Sequence, residues 1–349
     1  MGRGAPTTGD PAIQAEQQGL TADTRQGAST DEDLRLAVRY AILAPSSHNT
    51  QPWLFRICAD AVEVFADRAR ALPVVDPFDR ELVISCGAAL FNLRIALAHA
   101  GWKTEVELLP DPACPDLLAR VSFVRHSPPS QETMLLFDAI PKRHTNRGTF
   151  EPRAVSAQLV SVLRKSVAFE GAWLETLDGS AKLAAADLIA AGDRIQHRDT
   201  HFRRELAAWT VPNESSRADG IRASSLGFPD VASHFAPLLI RTFDWAKLGR
   251  AAKDRELAAG SPLMCVLGTE HEEPAAWIAA GQALQHLWLT ACAGGVQCSF
   301  LNQSIEVPAL RSKLRTLIGR AGFPQLVLRL GYAESKRAGS RRTVAAVLI

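Results

Sequence analysis

Hydrophobic and polar positions along this chain fall into two successive stretches of similar design. Leu34, Leu36, Ala37, Tyr40, Ala41 and Leu43 recur at mostly helical spacing behind the acidic turn Asp31-Glu32-Asp33, and Pro45 stops the helix. Two short runs follow, Trp53 to Ile57 and Ala61 to Ala66. The second alternates Val62, Val64 and Ala66 against Ala61, Glu63 and Phe65, and the pair predicts a β-hairpin. From Phe78 to Ala100 the chain is apolar nearly all round, as in a buried helix. Gly101 ends it, and strands are expected at Thr104 to Leu109 and Ala119 to Val124.

The second stretch opens with a helix over Glu132 to Ile140 and the basic turn Pro141 to Arg147. A capped helix from Ser156 to Val167 and a strand from Ala172 to Leu177 come next. Residues Ser180 to about Ala259 read as mainly helical, broken at Pro212 to Gly220 and near Gly227-Phe228-Pro229, and match nothing in the first stretch. A strand at Leu263 to Gly268 and a long apolar helix at Pro274 to Gly294 restore the pattern. Laid against each other, Gly87 to Gly101 and Gly281 to Gly295 match in register at Gly, Ala, Leu and Leu, and each leads from a glycine stop into a strand. Two copies of one α+β unit can pack as a covalently linked pseudo-dimer with the long apolar helices at the shared interface. The expected organisation is a flexible leader over 1–30, a first unit over 31–130 and a second over 131–349. A helical insertion interrupts the second unit at about 192–259.

Composition narrows the class. With 349 residues, 47% of them hydrophobic, the chain can bury a large core. A formal net charge of +2, from 39 basic and 37 acidic residues, gives no bulk reason to expect nucleic acid or an anionic membrane as partner. The six cysteines form no C-x-x-C pair, so they read as small core residues in a reducing cytoplasm. Cys298 in particular is expected to pack. No apolar run is read as approaching the roughly 18 to 20 residues needed to span a bilayer, and the start lacks a signal-peptide layout. His197 and His201 stand four apart among Arg194, Arg198, Asp199 and Arg203, which reads as a charged helix surface rather than a metal site. There is no G-x-S-x-G elbow, Walker A segment or G-x-G-x-x-G turn.

Two segments carry candidate chemistry. Ala44-Pro45-Ser46-Ser47-His48-Asn49-Thr50-Gln51-Pro52-Trp53 is stiffened by two prolines and dense in small polar side chains, a loop able to hold an anionic or heteroaromatic ligand. About a hundred residues downstream, Arg143-His144-Thr145-Asn146-Arg147 sets two guanidinium groups on one short segment, which reads on its own as a solvated basic turn or as a fork able to make bidentate, charge-assisted bonds to an anion.

Together these segments resemble the nitroreductase-like family of FMN-dependent oxidoreductases, and the two-unit layout is most similar to its fused, Acg-like branch. In that family an Arg-rich R-x-[ST]-x-R segment and an A-P-S-x-x-N-x-Q-P-W loop from different subunits meet at one FMN. The resemblance implies a tandem nitroreductase-like fold with one complete FMN site per chain and one degenerate site, because the first unit lacks the arginines and the second has only Ala168 to Gly171 in place of the loop. It gives Arg143, Thr145 and Arg147, helped by Arg341 and Arg342, to the phosphate and ribityl end. Pro45, Ser46, Ser47, Asn49 and Gln51 approach from the first unit, and Phe300, Leu301, Asn302 and Gln303 lie beside the ring. The implied activity passes electrons from NAD(P)H, a transient co-substrate, through flavin to a small electron-poor acceptor such as a nitroaromatic or quinone. The alternative is an FMN-sequestering protein whose insertion covers the ring. Because fusion satisfies the dimer interface internally, a monomer is expected.

Overall fold

In the computed structural model, which describes residues 30–125, 128–247, 249–334 and 339–349, each half of the chain builds a four-stranded antiparallel sheet. The leader expected over 1–30 lies outside the described residues except for Thr30. Helix α1 (Thr30–Ala41) precedes β1 (Trp53–Ile57) and β2 (Ala61–Ala66). The long helix α2 (Arg80–His99) follows, then β3 (Trp102–Leu108) and β4 (Leu117–Arg125). This sheet has the order β1-β2-β4-β3. Although β2 alternates in sequence, every residue of it is buried, and Glu63 is neutralised by Arg56 and Arg120 on the flanking strands.

After α3 (Gln131–Ala139), the second half runs α4 (Ala157–Phe169), β5 (Trp173–Leu177), the insertion, and β8 (Leu263–Thr269). It continues through α10 (Pro274–Ala293), β9 (Gln297–Phe300), the short α11 (Gln303–Glu306), α12 (Pro308–Ile318) and β10 (Phe323–Gly331). The order β5-β8-β10-β9 repeats the first sheet strand for strand: first, second, fourth, third. Ser130 and Ser156 cap α3 and α4 by accepting the Thr133 and Leu159 amides.

The halves meet along α2 and α10. Ile278 and Leu289 of α10 enter the first core, and Ile84 of α2 enters the second. At their crossing Gly87 and Gly281 touch, and a Cβ on Gly281 would stand 2.8 Å from the Gly87 Cα, so side chains are excluded there. By length and composition α2 is apolar enough to cross a membrane, which corrects the expectation that no run approaches that length; most of it is buried inside the protein.

Two segments cross between the halves. Helix α3, expected in the second unit, puts Leu136 and Ala139 into the first core, with Phe137 against Tyr40 and His99. The C-terminal residues return to β1, where Phe55 N–H donates to Val347 O and Ile349 N–H to Phe55 O. The insertion comprises α5 (Gly179–Arg198), α6 (Thr200–Ala208), the strand pair β6 (Thr210–Val211) and β7 (Ile221–Arg222), α7 (Asp230–Ser233), α8 (Ala236–Thr242) and α9 (Arg250–Ala259). Its root packs on the second sheet through Ala185, Ile189 and Ala258. Its outer part packs Phe202, Leu206 and Phe228 on Leu72 and Val75 of the first half. It therefore spans both halves as a cap.

Candidate active site

The loop after α1 is held in a conformation that its own sequence disfavours. His48, Asn49 and Gln51 all have positive φ (51, 55 and 53°), a region Asn enters readily but which costs about 1–2 kcal/mol for a residue such as Gln51. Local bonds hold the turn: the Ser46 carbonyl accepts the Asn49 amide, the Ser47 carbonyl accepts the Thr50 amide, and Ser46 Oγ accepts the Gln51 amide at 2.9 Å. Ser47 Oγ donates to Glu81 on α2. Strain maintained by several converging bonds is a common mark of a preorganised ligand loop.

The basic segment approaches from the other half. Thr145 bridges Cys298 on β9 in parallel register, and the Asn146 amide donates to the Cys298 carbonyl at 2.9 Å, which lays the segment along the edge of the second sheet. Arg143 is 4% exposed and stands 4.7 Å over the Trp288 ring, while its Nη2 donates to the Leu43 carbonyl. The C-terminal crossing delivers Arg341, whose guanidinium donates to the carbonyls of Leu43 and Ala44 and to Asn49 Oδ1.

Two adjoining cavities lie between these pieces, and Pro45, Ser46, Thr145, Arg147 and Ile221 line both. One, about 290 Å³, is walled by Arg143, Arg147, Arg222 and Arg341, with no carboxylate among the described residues of its lining. Arg222 is occupied by the carbonyls of Pro212, Ser215 and Arg217. Arg143 Nε and Nη1 and Arg341 Nε, by contrast, have no hydrogen-bond partner among the described residues. Burial, reinforced by Arg341, pushes the Arg143 guanidinium down to about 9, and burial brings Arg341 to about 10. Arg147 also falls to about 10 through burial and the nearby Arg250. Arg147 lines both cavities and keeps more of its surface exposed than Arg143 or Arg341. Two largely buried guanidinium groups with unpartnered nitrogens are costly unless water or an anion meets them.

The other cavity, about 210 Å³, has apolar walls from Ile84, Leu284, Phe300 and Leu326 and polar groups from Ser47, His48 and Asn302. Glu81 and Ser85 of α2 and Gln303 and Glu306 of α11 add further polar wall, and the cap supplies Asp193, Gln196 and His197 of α5, Phe202 and Leu206 of α6, Leu226, and Arg250 of α9. Burial, then Arg147, lowers His48 to about 4, and burial, then Arg250, does the same to His197.

Most residues singled out from the sequence meet here. Gln51, Arg342 and Leu301 stand behind the walls instead. Gln51 is fully buried; its Nε2 donates to the Ala218 carbonyl of the cap, and its Oε1 accepts the Arg342 amide. The Arg342 guanidinium holds the carbonyls of Gln51, Trp53 and Ala346. Leu301 packs in the core beneath the cap. Asn49 lines the anion cavity but also exchanges bonds with Gly220, so the loop is a latch for the cap as well as a ligand wall. His197 corrects the charged-surface reading: it is 7% exposed and turned inward, whereas His201 is on the outside. Cys298 packs in the core, as expected of a small apolar residue. Asp193, Arg250 and Glu306 were missed because an acidic or basic residue in a charged helix carries no sequence mark of which way it points.

At the position equivalent to the ligand loop, the second half has Ala168–Gly171. There Glu170 bonds Arg94 of α2 at 2.7 Å and His286 of α10 at 3.2 Å.

A protein of Mycobacterium tuberculosis provisionally named an NAD(P)H nitroreductase, Rv3131, is 31% identical to this chain over 303 residues, covering 86% of each. The chain belongs to the nitroreductase family. The provisionally named nitroreductase acg of the same organism is 30% identical over 306 residues, 87% of this chain and 90% of that protein, which puts the chain on the Acg-like branch. No protein-family model matches the sequence. Among solved structures, the FMN-dependent nitroreductase NfnB of Mycobacterium smegmatis in complex with NADPH is 17% identical, with a TM-score of 0.37, covering 61% of this chain and 92% of that one.

Proposed function

We propose that the chain binds one FMN across the two cavities and works as an oxidoreductase, taking electrons from NAD(P)H and passing them to a small electron-poor acceptor such as a nitroaromatic or quinone. The observation that carries this reading is the pair of buried Arg143 and Arg341 guanidinium groups, with unpartnered nitrogens, at a cavity whose described lining holds no carboxylate and which adjoins a second, part-apolar cavity. A phosphate monoester with close to two negative charges matches the first, and a flat heteroaromatic ring matches the second. Arg143, Arg147, Arg341 and Thr145 would hold the phosphate end. Ser46, Ser47, His48 and Asn302 would set hydrogen bonds near the ring between the apolar faces of Ile84, Phe300 and Leu326. Bound there, FMN supplies hydride and electron transfer; the protein binds it, orients it and excludes water. Family relatives named as NAD(P)H nitroreductases support the donor. The bonds of Glu170 in place of a second loop support one site per chain, and the α2–α10 interface supports a monomer. Six free cysteines fit a cytoplasmic setting.

A second reading, FMN sequestration, is favoured by one observation: the cap supplies a whole wall of the ring cavity. Anaerobic addition of NADPH to the purified flavoprotein separates the two. A reductase loses its flavin absorbance rapidly, whereas a sequestering protein keeps it.

A further inference from the structure

We propose that Asp193 is the proton donor to the molecule reduced in the ring cavity, kept in its acid form by Asp254 across the side chain of Gln303. The proposal rests on the oxidoreductase reading above and adds to it the source of the proton.

Asp193 on α5 and Asp254 on α9 are each 3% exposed, and both accept from one amide nitrogen, Gln303 Nε2, at 3.2 and 3.0 Å. Gly192 allows this approach, because a Cβ there would stand 2.6 Å from the Gln303 carbonyl. Asp254 has a cation, Arg250, whose Nε donates to it at 3.3 Å. Asp193 has none of its own; among the described residues its Oδ2 accepts from no donor, and its carboxyl stands within hydrogen-bonding reach of Asp254 where the residue lines the cavity. Two facing carboxyls can bond only by sharing a proton.

The surroundings favour a shared proton. Two carboxyls served by one guanidinium cannot readily both ionise out of water. From α11, Glu306 adds a further acid, itself raised to about 8 by burial and then by Glu81 on α2. On Asp193's own helix His197 is held neutral, and Phe202 of α6 is the apolar neighbour at the cavity. Arg203 of α6 is occupied by the carbonyls of His197 and Arg198. Burial first and Asp254 second raise Asp193 to about 8, against the pull of Arg250.

Two-electron reduction of a quinone-type acceptor consumes one hydride and one proton. FMN held at the site and reduced by a nicotinamide would supply the hydride. The proton comes from Asp193: its O–H bond breaks, an O–H bond forms on the acceptor oxygen, and the product leaves uncharged. The Asp193 carboxylate then regains a proton from water.

The test is carboxyl ¹³C NMR of aspartate-labelled, FMN-loaded protein, paired with stopped-flow reoxidation by benzoquinone. One aspartate resonance is expected to titrate near pH 8. It should vanish in Asp193→Asn and move down by at least about one unit in Asp254→Asn, where the like charge is gone. Reoxidation should slow at least ~10-fold in Asp193→Asn and lose its fall at alkaline pH, while Asp193→Glu restores both. An aspartate set that titrates only in the ordinary range, or an Asp193→Asn variant with unchanged rate and pH profile, overturns the donor role alone. Failure of the wild-type protein to bind FMN overturns the oxidoreductase reading and the donor role with it.

Discussion

Gly87 and Gly281, aligned in the sequence repeat, are in contact at the crossing of α2 and α10, where the two halves of the fold meet. A helix-interior glycine normally costs about 1 kcal/mol relative to alanine, yet here alanine has no room. We expect Gly281→Ala to destabilise the protein by about 1–3 kcal/mol, because the new Cβ meets the backbone of Ile84 and Ala88. Denaturant unfolding measures it, and a neutral or stabilising result would mean that the helices separate without cost.

Arg143 should show opposite effects on folding and on binding. Removing a buried guanidinium with unspent donors relieves a desolvation cost, so Arg143→Met is expected to raise the melting temperature of flavin-free protein while weakening FMN binding at least ~10-fold. Arg143→Lys keeps the charge but loses the planar fork, and should also bind FMN more weakly than wild type. Calorimetry and fluorescence titration read the two effects.

The latch between loop and cap can be loosened away from both cavities. Asp219 accepts from Arg70 at 2.7 Å and from Arg217 at 2.9 Å, beside the Gln51–Ala218 and Asn49–Gly220 bonds. Asp219→Ala should speed limited proteolysis between Trp209 and Arg222 several-fold and quicken NADPH bleaching if access limits that step. Unchanged cleavage would show that the apolar contacts of Phe202 and Leu206 on Leu72 and Val75 hold the cap by themselves.

Stability should decline on the alkaline side. Asp193 and Glu306 are each raised to about 8, so the folded state holds protons that the unfolded chain gives up from about pH 4 upward. Stability therefore falls as pH rises from the ordinary carboxyl range toward 8 and levels above it. Melting temperature should drop by several degrees between pH 6 and 9, at about 2–4 °C per kcal/mol, and Asp193→Asn should flatten the slope.

How far the site was legible follows from where its chemistry sits in the chain. The ligand loop and the Arg143–Arg147 segment each concentrate special residue types in a few positions, so they stood out, and the buried helices were marked by unbroken apolar runs. Strand β10 and helices α11 and α12 were not read, because their patterns lie past the last strong repeat. Gln51 and Arg342 looked like ligand residues because their donors suit one; a cap carbonyl takes the Gln51 amide, and the carbonyls of Gln51, Trp53 and Ala346 take the Arg342 guanidinium. The cap's contribution was hidden for the opposite reason. Asp193 and His197 sit among Arg194 and Arg198, and only the packing of α5 against Gln303 shows that they face inward.

The central claim is one FMN held between two halves of one chain. The visible spectrum of purified, FMN-reconstituted protein, with the flavin-to-chain ratio and mass by light scattering, tests it most directly. The expected result is a monomer with one FMN per chain, lost when Ser46, Ser47 and Asn49 are replaced together by alanine. A protein that gains no flavin, or that takes up two per chain, would contradict it.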